Sequence, residues 1–120
     1  MASAGKKTTI GVVGDGLSAH RANWRFSGEV AKNFDSHVSK SVPLYHEGHK
    51  LVCELSDFFL KPGSLCYEIG CSTGALTAKL AEHTAGKANV RFIGVDVEPD
   101  MIGIAKQRGK GYKKPHLRGR

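Results

Sequence analysis

Glu68-Ile-Gly-Cys-Ser-Thr-Gly74 is the stretch on which the fold turns. Ser64-Leu-Cys-Tyr-Glu-Ile69 leads into it as a short buried strand, and its two glycines permit a tight loop. Ala75-Leu-Thr-Ala-Lys-Leu-Ala-Glu-His83 follows as a run of good helix formers, with Leu76 and Leu80 on one side and Gly86 as the stop. Val90-Arg-Phe-Ile-Gly-Val95 reads as a second strand ending at Asp96. Glu98-Pro-Asp-Met-Ile-Gly-Ile-Ala-Lys106 opens another helix, with Pro99 in its first turn and Gly103 weakening its interior. The order β-α-β-α requires parallel strands joined by right-handed crossovers. The expected class is α/β, the start of a doubly wound parallel sheet.

Upstream, Phe26, Val30 and Phe34 recur at a spacing of four, one stripe of a helix. Pro43 breaks that helix and restricts Val42. A second helix is expected over about 46–60, with Leu51, Val52, Leu55, Phe58 and Phe59 forming an apolar face. Lys61-Pro-Gly63 ends it. Residues 1–23, rich in small residues, read as a flexible arm. Gly11, Gly14 and Gly16 run in the reverse of the dinucleotide fingerprint, and no helical pattern follows them. The organisation is thus an arm (1–23), a folded domain (24–106) and a basic tail (107–120).

The chain has 120 residues, 40% of them hydrophobic and 24% charged, which bounds it to one domain. No apolar run reaches the roughly 18–20 residues of a membrane span, and the first residues lack a signal peptide's apolar stretch. Cys53, Cys66 and Cys71 are an odd, sparse set that suits free thiols in a reducing cytoplasm. The net charge of +7 is local: Lys106, Arg108, Lys110, Lys113, Lys114, Arg118 and Arg120 have no acid among them, and residues 1–105 balance to zero. Such a tail can bind RNA phosphates without sequence preference.

Ligands of doubly wound sheets sit outside the carboxyl ends of the strands. Loop 70–74 lies at such an end, and Asp96 ends the neighbouring strand, where a carboxylate can accept from a ribose diol. A nucleoside ligand is therefore expected, the plain alternative being a strand–helix turn with a capping aspartate. A pyrophosphate fits poorly, because the third glycine is missing and Glu68 stands just before the loop. Gly70-Cys71-Ser72-Thr73-Gly74 also matches a nucleophile elbow with Ser72 as nucleophile, but the only later histidines are His83 and His116. S-adenosylmethionine explains both acids: Glu68 lies near its cationic end and Asp96 holds its ribose.

Glu68-Ile-Gly-Cys-Ser-Thr-Gly74, Phe92-Ile-Gly-Val-Asp96 and Glu98-Pro-Asp-Met-Ile102 resemble motif I and the acidic strand end of class I S-adenosylmethionine-dependent methyltransferases, which have a Rossmann-like fold. The Gly-Cys-Ser variant, with Phe34-Asp35, Ser41-Val-Pro-Leu-Tyr45 and Lys61-Pro-Gly63, resembles the carboxy-S-adenosylmethionine synthase branch, whose product serves tRNA wobble-uridine modification. The resemblance covers residues 24–106. It implies S-adenosylmethionine or carboxy-S-adenosylmethionine as cofactor. Tyr45, Glu68, Gly70, Cys71, Ser72, Gly74, Asp96 and Val97 would be the binding residues. The branch usually has Asp at the place of Glu68 and often Asn at that of Val97. No catalytic residue is assigned. Cys71 stands near a helix N-terminus, which would lower a thiol's pKa; no catalytic thiol is expected.

His46 and His49 share a helix face but lack a third ligand, so no metal is expected. Trp24, Arg25 and Phe26 could cover the ligand or pack the first helix. Members of the superfamily have seven strands. This sequence offers two and then no strand signal after Arg108, so it reads as the N-terminal half of the fold. Half a sheet leaves an open edge and a bare face that a second copy could cover, a possible homodimer. The rival to the transferase reading is a small basic nucleic-acid-binding module without enzymatic activity. It expects RNA binding that vanishes on deletion of 106–120, whereas the transferase reading expects that deletion to spare nucleoside binding.

Overall fold

The stop and start signals fall close to their expected places. In a computed structural model, which describes residues 26–111 and the backbone of 115–119, Gly28 precedes helix α1 (Glu29–Ser41). Phe26 lies before α1, packed edge-on against Phe34 with ring centroids 5.9 Å apart. Pro43 separates α1 from α2 (Tyr45–Ser56), and Leu44 takes the left-handed turn between them at φ 58°. Gly63, at φ 83°, donates its N–H to the Ala88 carbonyl at 2.8 Å and so sets the start of β1 (Leu65–Ile69) beside β2 (Arg91–Asp96). Between them runs α3 (Ala75–His83), and α4 (Pro99–Gly109) leads on to β3 (Pro115–Gly119). The arm 1–23, the glycines at 11, 14 and 16, and Trp24 and Arg25 lie outside the described residues.

The sheet is parallel, in the order β1-β2-β3, with Leu65 opposite Arg91 and Phe92 opposite Pro115. Alternation along the strands sorts their side chains by face. Cys66 and Phe92 enter the core with Cys53 and Leu80, and Leu60, Leu76 and Val90 pack around them. Leu65, Tyr67 and Ile69, on the opposite face of β1, are exposed. Met101, Ile102 and Ala105 bury the inner side of α4.

Three expectations are corrected. The sheet has a third strand where the tail offered no signal: Pro115–Gly119 pairs along β2, whose free edge supplies the hydrogen-bonding groups that the sequence of β3 does not advertise. The boundary placed after Lys106 falls inside α4, which runs to Gly109. Helix α3 covers Ala75–His83 as expected, with Thr84 rather than Gly86 at its end, where the Thr84 hydroxyl donates to the Leu80 carbonyl at 2.8 Å. The apolar face of α2 is not buried: Leu51, Val52, Leu55, Phe58 and Phe59 are all exposed, and the helix turns Cys53 and Ser56 inward.

Candidate functional site

The loop after β1 alternates into left-handed backbone, with φ of 75° at Gly70, 49° at Ser72 and 72° at Gly74. Serine rarely adopts such a φ, so the surroundings must hold it there. From the β2 side, the N–H groups of Gly70 and Cys71 both donate to the Val95 carbonyl, at 2.7 and 3.0 Å. The Ser72 N–H donates to Asp96 Oδ2 at 2.8 Å, and the other oxygen, Oδ1, accepts from the Glu98 N–H at 2.9 Å. Each carboxylate oxygen keeps a free lone pair, so Asp96 can fix the loop and still accept from a diol.

On the other side, Thr73 Oγ1 donates to Asp35 Oδ1 at 2.6 Å. Arg108 Nη1 donates to the Thr73 carbonyl and to Thr73 Oγ1, at 2.7 and 2.9 Å, while Nη2 pairs with Asp35 Oδ2. Thr73 itself is buried. Gly74 is pressed against α4: a Cβ there would lie 3.0 Å from the Ala105 Cβ.

Beside the loop lies a recess of about 180 Å³ lined by residues that include Phe34, Tyr45, His49, Glu68, Gly70, Cys71 and Ser72. It is smaller than the roughly 300–1,000 Å³ of a whole small-molecule site, so it would take one end of a nucleoside ligand. Asp96 and the exposed Val97 stand at the strand ends where the rest would lie. Tyr45 opens α2 and packs against His49 (ring centroids 4.3 Å) and His46 (5.4 Å). Its phenol is pushed up by burial, then by Asp35. His49 Nδ1 lies 3.2 Å from Lys79 Nζ, and burial followed by that ammonium pulls the imidazole down, so it is held neutral.

Glu68 is the acid that lines the recess. Burial pushes the Glu68 carboxyl up, partly offset by hydrogen bonds from Thr77. Cys71 is pushed up to about 11 by burial and by the Glu68 and Asp96 carboxylates. This reverses the expectation of a lowered thiol: burial first, and the two acids after it, raise it. The two carboxylates beside the loop disfavour a phosphate there and can face a sulfonium bearing an ammonium group.

The structure gathers Tyr45, Glu68, Gly70, Cys71 and Ser72 around one recess; Asp96 joins it through Ser72, whereas Gly74, packed on Ala105, and the exposed Val97 are not among its lining residues. Sequence reasoning missed Thr73, Thr77, His49 and Arg108. The rule that hydroxyls and charges flanking a glycine loop need partners could have flagged the two threonines. For the elbow reading of Ser72, His83 is out of reach: its Nε2 pairs with Asp57 at 2.9 Å, at the opposite end of α3. Among the described residues, no group of three or more His, Cys, Asp or Glu could hold a metal ion. None of the described helices is long and apolar enough to cross a membrane.

A family model described as a methyltransferase domain matches residues 67–118. A carboxy-S-adenosyl-L-methionine synthase of Shigella boydii is 31% identical over 97 residues, covering 81% of this chain and 39% of that protein. One of Wolinella succinogenes is 38% identical, over 77% of this chain and 38% of that protein. The chain therefore spans about two fifths of the length of these curated relatives. Among solved structures, a SAM-dependent methyltransferase from Aquifex aeolicus superposes with a TM-score of 0.58 at 20% identity, covering 80% of this chain and 48% of that one. A TehB-like SAM-dependent methyltransferase from Corynebacterium glutamicum gives 0.51 at 18% identity, over 75% of this chain and 44% of the other. Both show the fold, the Rossmann-like α/β sheet expected from the order of elements.

Proposed function

We infer that the chain belongs to the class I S-adenosylmethionine-dependent methyltransferase superfamily, and from that premise that it forms the cofactor-binding part of an S-adenosylmethionine-dependent transferase. Loop 70–74 and Asp96 would hold the nucleoside. Glu68, beside Tyr45 in the recess, would face the cationic amino acid end. The observation that carries this reading is the bond from the Ser72 N–H to Asp96 Oδ2. It ties the glycine loop to the strand-end acid and leaves that acid one lone pair on each oxygen for the ribose. The cofactor, when bound, supplies the electrophilic carbon of the transfer; the residues named here bind and orient it.

The finer reading is the carboxy-S-adenosylmethionine synthase branch, within cytoplasmic tRNA modification. The two relatives so named, at 31% and 38% identity, support it, as do the free thiols Cys53, Cys66 and Cys71. The basic module is the weaker rival, because Arg108, one of its seven cations, is spent on Asp35 and Thr73. RNA contact through the remaining tail cations stays part of the proposal. The deletion of 106–120 no longer separates the two readings, since it removes Arg108 and β3 together.

Calorimetric titration of S-adenosylhomocysteine into the whole chain tests the reading, with circular dichroism on the same sample. Saturable binding that is lost in Asp96→Ala is the expected result. A cooperatively melting chain that takes up no ligand overturns it.

A further inference from the structure

We propose that Asp35 and Arg108 are a positioning pair that holds the cofactor loop in its binding conformation through Thr73. The inference rests on the cofactor reading above and adds two residues outside the recess. The three side chains close a ring of hydrogen bonds. Thr73 Oγ1 donates to Asp35 Oδ1 and accepts from Arg108 Nη1, and Arg108 Nη2 returns to Asp35 Oδ2. Arg108 Nη1 also takes the Thr73 carbonyl at 2.7 Å, so the guanidinium grips the loop backbone as well as its side chain. The partners come from α1, the loop and α4, separated by 38 and 35 residues in sequence.

The position of this ring gives it its role. Val95 and Asp96 hold Gly70, Cys71 and Ser72 from β2. Thr73 is the next residue, and the ring holds it from the opposite side. Ser72, with its unfavourable φ of 49°, is pinned between the two anchors. Released on one side, it would relax toward ordinary backbone, and its N–H would turn away from Asp96. Planar, charge-assisted forks of this kind impose direction as well as attraction. Lysine at 108 would keep the charge and lose the fork.

The test uses the whole chain with Asp35→Asn, Arg108→Lys and Thr73→Val. Two quantities are read. One is the rate at which Cys71, buried in the loop, reacts with iodoacetamide at pH 8, located by mass spectrometry. Cys53 in the core reports opening of the whole fold in the same sample. The other is the dissociation constant of S-adenosylhomocysteine. The expected result is Cys71 alkylated about tenfold faster with Cys53 unchanged, and binding weakened by about the same factor, the worth of one charge-assisted hydrogen bond. Cys71 rates that stay at the wild-type value, or that rise only in step with Cys53, overturn the proposal. Should the wild type bind no S-adenosylhomocysteine, the cofactor reading fails, and the Cys71 to Cys53 ratio still decides whether the pair positions the loop.

Discussion

Asp96 carries two duties with one carboxylate. It accepts from Ser72 on one oxygen and from Glu98 on the other. Asp96→Asn keeps one acceptor oxygen, turns the other position into a donor, and sets that donor against a backbone N–H. Calorimetry is expected to show S-adenosylhomocysteine binding lost in Asp96→Ala and weakened at least tenfold in Asp96→Asn, since each anchor is worth about 1 kcal/mol or more. Near-equal binding by all three proteins would remove Asp96 from the site. Glu68 sets a pH dependence. Its burial raises the folded pKa, so the folded chain holds this proton more tightly than the unfolded one. The resulting stabilisation is complete below the unfolded value of about 4.3 and is lost as pH rises through the folded value. Asp57, pulled down by Lys87 and His83, acts with the opposite sign. The informative quantity is therefore the difference in urea stability between wild type and Glu68→Gln across pH 4 to 7. The wild type is expected to lose stability relative to the variant as pH rises. A flat difference would show Glu68 to be solvated, and a reversed one would show its carboxylate to be stabilised by the fold.

At the scale of elements, the close seat of the loop on α4 has a measurable cost of intrusion. Gly74→Ala adds a methyl 3.0 Å from the Ala105 Cβ at a residue whose φ is 72°. Chemical denaturation is expected to show a loss of about 1–3 kcal/mol. Ala105→Gly in the same chain should recover the steric share and leave the backbone share, so full recovery would locate the whole cost in the contact. Elements were legible where the signal is local. The expected range of α3 matched its observed one, because good helix formers follow a glycine loop directly. Strands β1 and β2 matched to within a residue, since apolar runs bounded by loops have few other readings. β3 was not legible, as Pro-His-Leu-Arg-Gly carries no strand propensity and owes its conformation to the edge of β2. Asp35 stood in a segment recognised by resemblance, yet its partnership with Arg108 spans 73 residues and no local pattern encodes it. Helix α2 shows the complementary limit: periodicity tells which residues share a face, and only the tertiary structure tells what covers that face.

For the whole molecule, the helices and sheet bury a narrow core and leave much apolar surface in water. Phe58 and Phe59, just beyond the C-terminal end of α2, are 79% and 76% exposed, and Tyr67 and Ile69 on β1 are 58% and 79% exposed. Covering one large apolar side chain is worth about 1.5–3 kcal/mol, so contact between copies at these residues offsets much of the entropy of association. Among the described strands β1 is also at an edge of the sheet, where backbone groups can pair. Sedimentation velocity over a range of protein concentrations is expected to show reversible association. Phe58→Lys with Phe59→Lys should move that association to higher concentration. The two positions lie beyond the C-terminal end of α2, while Tyr45 begins it, and twelve helical residues span about 18 Å. S-adenosylhomocysteine binding should therefore survive the double substitution. A chain that sediments as a monomer at every concentration would mean that water tolerates this surface. If the lysines abolish binding as well as association, the surface and the recess are coupled, and the half-covered sheet itself supports the site.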